Sequence, residues 1–82
     1  MTIEYVKNRA HFRDVVSVED AEALLAWIQT KSKPRIDLAD CTHAHPANIQ
    51  VLMATRPTIS AWPRDEDLAR WIQSALASNP NS

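Results

Sequence analysis

The chain has 82 residues, a formal net charge of −1 and an apolar fraction of 45%, which together indicate one small globular domain rather than a disordered segment. Its nine basic residues are scattered among ten acidic ones, and this lack of a basic cluster argues against nucleic acid as a partner. The absence of glycine excludes glycine-rich phosphate and dinucleotide loops and the glycine nucleophile elbow.

Cysteine usage and the N-terminus predict the compartment. The single cysteine, Cys41, cannot form an internal disulfide, which is typical of a reducing environment. Residues 1–8 lack the basic-then-apolar order of a signal peptide, and no apolar run reaches the about 20 residues of a membrane helix. We therefore expect a cytoplasmic protein without membrane insertion. Without glycine, turns of positive φ are expected at Asn8, Asp40 or Asn48.

The first elements in chain order are two strands and a helix. Side chains alternate in character over 2–6 and 11–16, which predicts two strands joined as a hairpin. Ser17 is followed three residues later by Asp20, a spacing similar to a capping box. Apolar residues then recur at helical spacing, so the sequence predicts an amphipathic helix over 17–30.

The second half of the chain continues the alternation of strands and helices. A short strand is predicted over 35–39, and Pro46 suits the first turn of a second helix that ends before Pro57. A last strand is predicted over 58–62, with Trp62 exposed at its end. Acidic residues at 65–67 then precede an apolar helical stripe, which consists of Leu68, Trp71, Ile72, Ala75 and Leu76.

The resulting order, β-β-α-β-α-β-α, predicts the fold class. Strands that alternate with helices form parallel pairs with right-handed crossovers. We expect one small α/β domain over 1–78, with a four-stranded mixed sheet and its helices packed mainly on one face. Residues 79–82 are expected to be a disordered tail.

The segment 36–55, IDLADCTHAHPANIQVLMAT, carries the most specific pattern. It resembles the core of STAS domains, the family of sulfate-transporter tails and anti-sigma-factor antagonists. Those domains have a strand that ends in V-D-L-S, then x-V-T-x-I-D-S-x-G-L, then an apolar helix. Residues 36–39 match the strand end, Thr42 matches the threonine, and Ile49 matches the leucine that opens the helix.

The departures from that pattern bear on function. His45 and Pro46 stand where the family has Asp-Ser, and Asn48 stands where it has glycine. In the antagonists the serine accepts a phosphate from a partner kinase, which a proline cannot do. The resemblance therefore implies a variant that lacks the usual phosphorylation switch. Thr42 is the better placed of the remaining hydroxyls for a kinase, although we favour a hydrogen-bonding role for it.

The resemblance implies a non-enzymatic protein-binding module without a cofactor, acting in bacterial regulatory signalling. Its partner would be another protein, such as an anti-sigma or kinase-type regulator, and a homo-oligomer is possible. An alternative is an accessory STAS subunit of a membrane transport system. The partner-binding residues are expected at the segment between the third strand and the second helix, namely Asp40, Thr42, His43, His45, Pro46, Asn48, Ile49 and Gln50.

A different alternative is a small metal-binding protein. Cys41, His43 and His45 alternate, so in an extended segment they share one face and could bind Zn²⁺ or copper, with Asp40 or His11 as a fourth ligand. Against this, a lone buried cysteine usually behaves as a small hydrophobe. Catalysis by His45 is disfavoured because the sequence shows no set of nucleophile, base and orienting group.

Overall fold

Seven elements follow one another in the computed structural model, which describes residues 2–77. The strands are β1 (Ile3–Val6), β2 (Arg9–Val16), β3 (Arg35–Ala44) and β4 (Thr58–Ala61). The helices are α1 (Glu19–Thr30), α2 (Pro46–Thr55) and α3 (Glu66–Ala77). The predicted order is therefore confirmed, and the predicted tail at 79–82 lies outside the described residues.

The sheet is mixed, as predicted. Its strand order is β1-β2-β3-β4, with β1 antiparallel to β2 and with parallel pairing between β2 and β3 and between β3 and β4. Right-handed crossovers between successive neighbours place α1 and α2 on the same face of the sheet. Because α2 contacts both α1 and α3, the helices form one layer. Within residues 2–77 the other face of the sheet has no helix over it.

The hydrophobic core lies between the sheet and the helix layer. Alternate residues of the two central strands point into it, including Ala10, Phe12, Ile36 and Leu38, all with no exposed surface. Full burial of a large apolar side chain contributes roughly 1.5–3 kcal/mol, so these strands anchor the domain. The helices contribute six further buried side chains to this core: Leu24, Ile28, Ile49, Leu52, Leu68 and Ile72.

Strand β3 is twice as long as predicted. The sequence indicates a strand over 35–39 followed by a loop, but β3 continues to Ala44 because β2 supplies a partner along this length. The register shifts between His11 and Arg13 and again between Asp14 and Val15, and at each shift β3 contains one extra residue. Such bulges change which side chains face the core, and the apolar alternation that marks a strand in sequence is lost there.

The helices begin near the predicted residues, but the cap of α1 differs from the predicted one. Helix α1 has Val18 at its N-cap and no side-chain cap, so the Ser17 oxygen does not accept a backbone N–H as it would in a capping box. Instead the carboxylate of Asp20 accepts hydrogen bonds from the Ser17 backbone N–H and hydroxyl at 3.0 and 3.3 Å. Pro46 occupies the first turn of α2 as predicted. Asp65 caps α3 by accepting the N–H groups of residues 67 and 68.

Positive φ angles occur at none of the predicted positions. They fall on Lys7 in the β1–β2 turn, on Asp14 at a register shift of β2, and on Arg56 after α2. Each position is one where the fold needs a left-handed residue: a hairpin turn, a bulge or a helix C-cap. Because the chain has no glycine, whichever residue stands there must adopt this conformation.

Two tryptophans, Trp62 and Trp71, are exposed, and only the exposure of Trp62 agrees with the sequence prediction. Trp62 is 38% exposed, as expected for its place after β4, but Trp71 is 42% exposed although it belongs to the apolar stripe of α3. Helix α3 packs beside α2 at the end of the helix layer. A terminal helix buries a narrower strip than a central one, so Leu68 and Ile72 are buried while Trp71 lies at the border.

Candidate functional site

The predicted partner-binding residues lie where β3 ends and α2 begins. Only His45 separates the two elements, so residues from both form one surface at the carboxyl end of the sheet. Six of the predicted positions have exposed side chains, and we call these six the β3–α2 edge: Asp40, Thr42, His43, His45, Pro46 and Gln50. The fold therefore presents most of the predicted set to solvent on adjoining elements.

The other two predicted positions are in the core. Asn48 is 0% exposed and Ile49 is 3% exposed, so their side chains are not available to a partner, which corrects the prediction for both. The Asn48 side-chain amide donates a 2.8 Å hydrogen bond to the carbonyl oxygen of Ser17. Its own Oδ1 is buried without a partner among the described residues. Asn48 thus connects the start of α2 to the turn before α1.

Two exposed valines lie beside the β3–α2 edge. Val15 is 52% exposed and pairs in register with His43, and Val18 is 51% exposed at the start of α1. The His45 backbone N–H donates to the Val16 carbonyl at 2.9 Å, which joins this part of β2 to the beginning of α2. Exposed apolar side chains next to polar ones are a common composition for a protein-binding surface. Sequence reasoning missed both valines, because Val15 belongs to the apolar part of the predicted second strand and Val18 to the first turn of the predicted helix.

His45 has a structural task. Its Nδ1 accepts the backbone N–H of Ala47 at 3.0 Å, which makes His45 the N-cap of α2. A ring nitrogen that accepts this bond is occupied and not free to take a proton from a substrate. No acidic residue is in the first turn of α2, and Pro46 carries no hydroxyl. The arrangement caps a helix and leaves the outer ring edge for contact.

The three residues of the predicted metal site are not brought together. Cys41 is 1% exposed, its thiol donates to the His43 carbonyl oxygen at 3.4 Å, and burial raises its pKa. The second register shift of β3 falls between Cys41 and His43, so the two no longer share one face. Within residues 2–77 no group of three His, Cys, Asp or Glu side chains could hold a metal. The shared-face argument is therefore wrong at this point of the strand.

A charged network lies on the open face of the sheet. The Nδ1 of His11 is 3.0 Å from Asp37 and its Nε2 is 3.0 Å from Asp40. Arg64 extends the network, with its guanidinium 3.2 Å from the Asp40 carboxylate. His11 and Asp37 meet because they are register partners on β2 and β3. The bulge that follows then brings Asp40 to the other side of the imidazole ring.

This network has electrostatic consequences. The hydrogen bond from His11, and then the charge of Arg64, hold the pKa of Asp40 below its ordinary value. Each ring nitrogen of His11 lies 3.0 Å from a carboxylate oxygen. The network therefore joins β2, β3 and the segment after β4, and neither nitrogen is free for general base catalysis.

The basic residues, scattered in the sequence, are gathered in the folded chain. Five of the nine line an open depression of about 1200 Å³ at the opposite end of the sheet, where the parallel strands begin. We call these five the basic depression: Lys7, Arg9, Lys33, Arg35 and Arg56. The prediction that the chain has no basic patch is wrong, because residues far apart in sequence meet at this end of the fold.

Among the described residues no helix has the length and apolar character needed to cross a membrane. No family model, curated protein or solved structure matches this chain.

Proposed function

We propose that this chain is a non-enzymatic protein-binding module whose partner docks on the β3–α2 edge. The observation that carries the proposal is that the six side chains of the β3–α2 edge are exposed and lie next to the exposed Val15 and Val18. The side chains of the types that often act in catalysis have structural roles in this chain. His45 caps α2, His11 bridges two carboxylates, and Cys41 is buried with a raised pKa.

The resemblance to STAS domains supports a regulatory partner. The β-β-α-β-α-β-α order matches that family, and the β3–α2 edge corresponds to the surface on which its members meet a regulator. We propose an anti-sigma or kinase-type regulator in a bacterial cytoplasm as the partner. Since Pro46 replaces the phosphorylatable serine, the module would bind without a phosphorylation switch at that position.

A pull-down from the native lysate tests the docking surface. Immobilised wild type is compared with a Val15→Glu, Gln50→Glu double variant, and with Gln73→Glu on α3 as a control for added charge on an exposed site. The proposal expects a specific protein to be retained by wild type and control and lost with the double variant. Equal retention by all three forms would show that the partner binds elsewhere.

The identity of the retained protein tests the regulatory part of the proposal. Mass spectrometry that finds a kinase-type or anti-sigma regulator supports it, whereas a component of a transporter or ATPase would replace it with the accessory-subunit function. Incubation of the chain with the retained kinase and ATP adds a second test. Stoichiometric phosphate anywhere in residues 40–50 would contradict binding without a switch.

A further inference from the structure

The basic depression is formed by three connections that meet at one end of the domain. Lys7 lies in the β1–β2 turn and Arg9 begins β2. Lys33 lies in the connection from α1 to β3, Arg35 begins β3, and Arg56 follows α2. All five side chains are exposed, and none of the lining residues is acidic. The other four basic residues and all ten acidic residues of the chain lie outside this lining, so positive charge is concentrated in the depression.

None of the five cations is neutralised by a carboxylate within residues 2–77. The arginines that form ion pairs there are Arg13, Arg64 and Arg70, all outside the depression. Within the described part of the chain, their side chains make one hydrogen bond, from Arg56 to the carbonyl oxygen of Leu76 at 3.5 Å. Arg9 and Arg35 are direct register partners on β2 and β3, and like charges in this arrangement destabilise a sheet.

The helix ends offset only part of this charge. All three helices end at this side of the sheet, and a helix C-terminus carries roughly half a negative charge. Three such ends amount to about one and a half charges, compared with five cations. An arrangement that opposes stability and is not balanced within the fold indicates a negatively charged partner.

The surroundings of the cations indicate which kind of anion fits. A helix N-terminus supplies backbone N–H groups that suit a compact phosphate, but α1, α2 and α3 begin at the opposite end. Single-stranded nucleic acid is usually stacked on aromatic rings, and no aromatic residue lines the depression. Its lining instead includes Val6, which is 51% exposed, with Pro34 and Pro57. A lining that combines cations with apolar side chains suits a peptide that carries both carboxylate and apolar side chains.

We propose that the basic depression binds an acidic segment of a partner protein, one with several Asp or Glu side chains and interspersed apolar residues. This surface is distinct from the β3–α2 edge and lies at the other end of the strands, so the inference goes beyond the proposed function and does not depend on it. Binding through exposed charges weakens as salt screens them.

The test uses a fluorescent Glu- and Leu-rich peptide and measures its anisotropy with the full chain. We expect saturable binding at low salt that weakens at high salt. An Arg35→Glu, Arg56→Glu double variant should lower the affinity on the order of tenfold or more, because two attractions become repulsions. Arg70→Glu on α3 makes the same kind of charge change outside the depression and should bind like wild type.

A second variant and two competing probes make the outcome decisive. Lys7→Glu with Lys33→Glu, both in exposed turns, repeats the test without altering β3 or the α2 C-cap, in case the arginine variant unfolds. No binding of the peptide, or equal binding by all variants, would overturn the proposal. Tighter binding of duplex DNA or of phosphatidylglycerol vesicles through the same residues would overturn it in favour of a phosphate ligand. The Val15→Glu, Gln50→Glu variant should bind the peptide normally.

Discussion

His11 shows how one side chain can join three parts of the chain. It lies on β2, bonds Asp37 and Asp40 on β3, and through Asp40 reaches Arg64 beyond β4. Exposed ion pairs contribute little to stability singly. Their main effect here is to hold the bulged part of β3 in position against β2.

The titration of Asp40 tests this network. His11→Ala removes the largest cause of its lowered pKa, so that pKa should rise towards the ordinary value of 3.8. In wild type, the stability from a lowered carboxyl pKa is present above 3.8 and is lost as the pH falls through the folded-state pKa. NMR titration of the carboxyl carbon measures the shift. His43→Ala, an exposed histidine elsewhere on β3, should leave the pKa of Asp40 unchanged.

Asn48 is the second residue with a clear prediction. Asn48→Ala removes the hydrogen bond to Ser17 and leaves a small cavity, so the free energy of unfolding should fall by about 1–3 kcal/mol. Urea denaturation followed by circular dichroism measures it. Gln50 lies two residues further along α2 and is exposed, so Gln50→Ala should change stability by less than about 0.5 kcal/mol. Equal effects of the two substitutions would contradict a structural role for Asn48.

At the scale of elements, β3 and the helix starts decide where the candidate surface lies. Pairing between β3 and β4 reaches only Asp37, whereas pairing between β2 and β3 continues to Ala44. The ends of β2 and β3 therefore extend beyond β4 as a two-stranded ribbon, which carries Thr42 and His43. This projection explains why the β3–α2 edge is open to a partner.

The cap of α3 gives a prediction at this scale. Asp65 accepts the N–H groups of Asp67 and Leu68 at 3.0 and 3.1 Å, so Asp65→Ala should lower stability by about 1 kcal/mol. Thermal unfolding measures the change. Glu66→Ala removes the same charge from the first turn without removing a cap bond, and it should cost clearly less. A larger loss with Glu66→Ala would assign the stabilisation to charge alone.

At the scale of the molecule, the core of an 82-residue chain leaves a small margin of stability. Leu38 is fully buried on the central strand β3, and Leu38→Ala should cost about 2–5 kcal/mol. For a domain of this size that lowers Tm by on the order of 10 °C or more. Val15→Ala, at an exposed position, is the control and should shift Tm by a few degrees at most.

The charge distribution is also a property of the whole molecule. Acidic residues begin α1 and α3, and the basic depression lies where the helices end. Acidic residues at helix starts and basic residues near helix ends complement the helix dipoles. The dipoles do not require two arginines to be register partners, as Arg9 and Arg35 are. The two proposed docking surfaces thus differ in position and in charge, and each can be altered without the other.

The sequence by itself determined the element order, the start of α2 at Pro46 and the amphipathic α3, because periodicity and proline act locally. The tertiary structure alone decided the length of β3, the burial of Asn48 and Ile49, and both charged clusters. These depend on strand register and on bulges, which join residues distant in the chain. Local patterns specify which elements form, and only the packing of those elements decides which side chains meet and which face solvent.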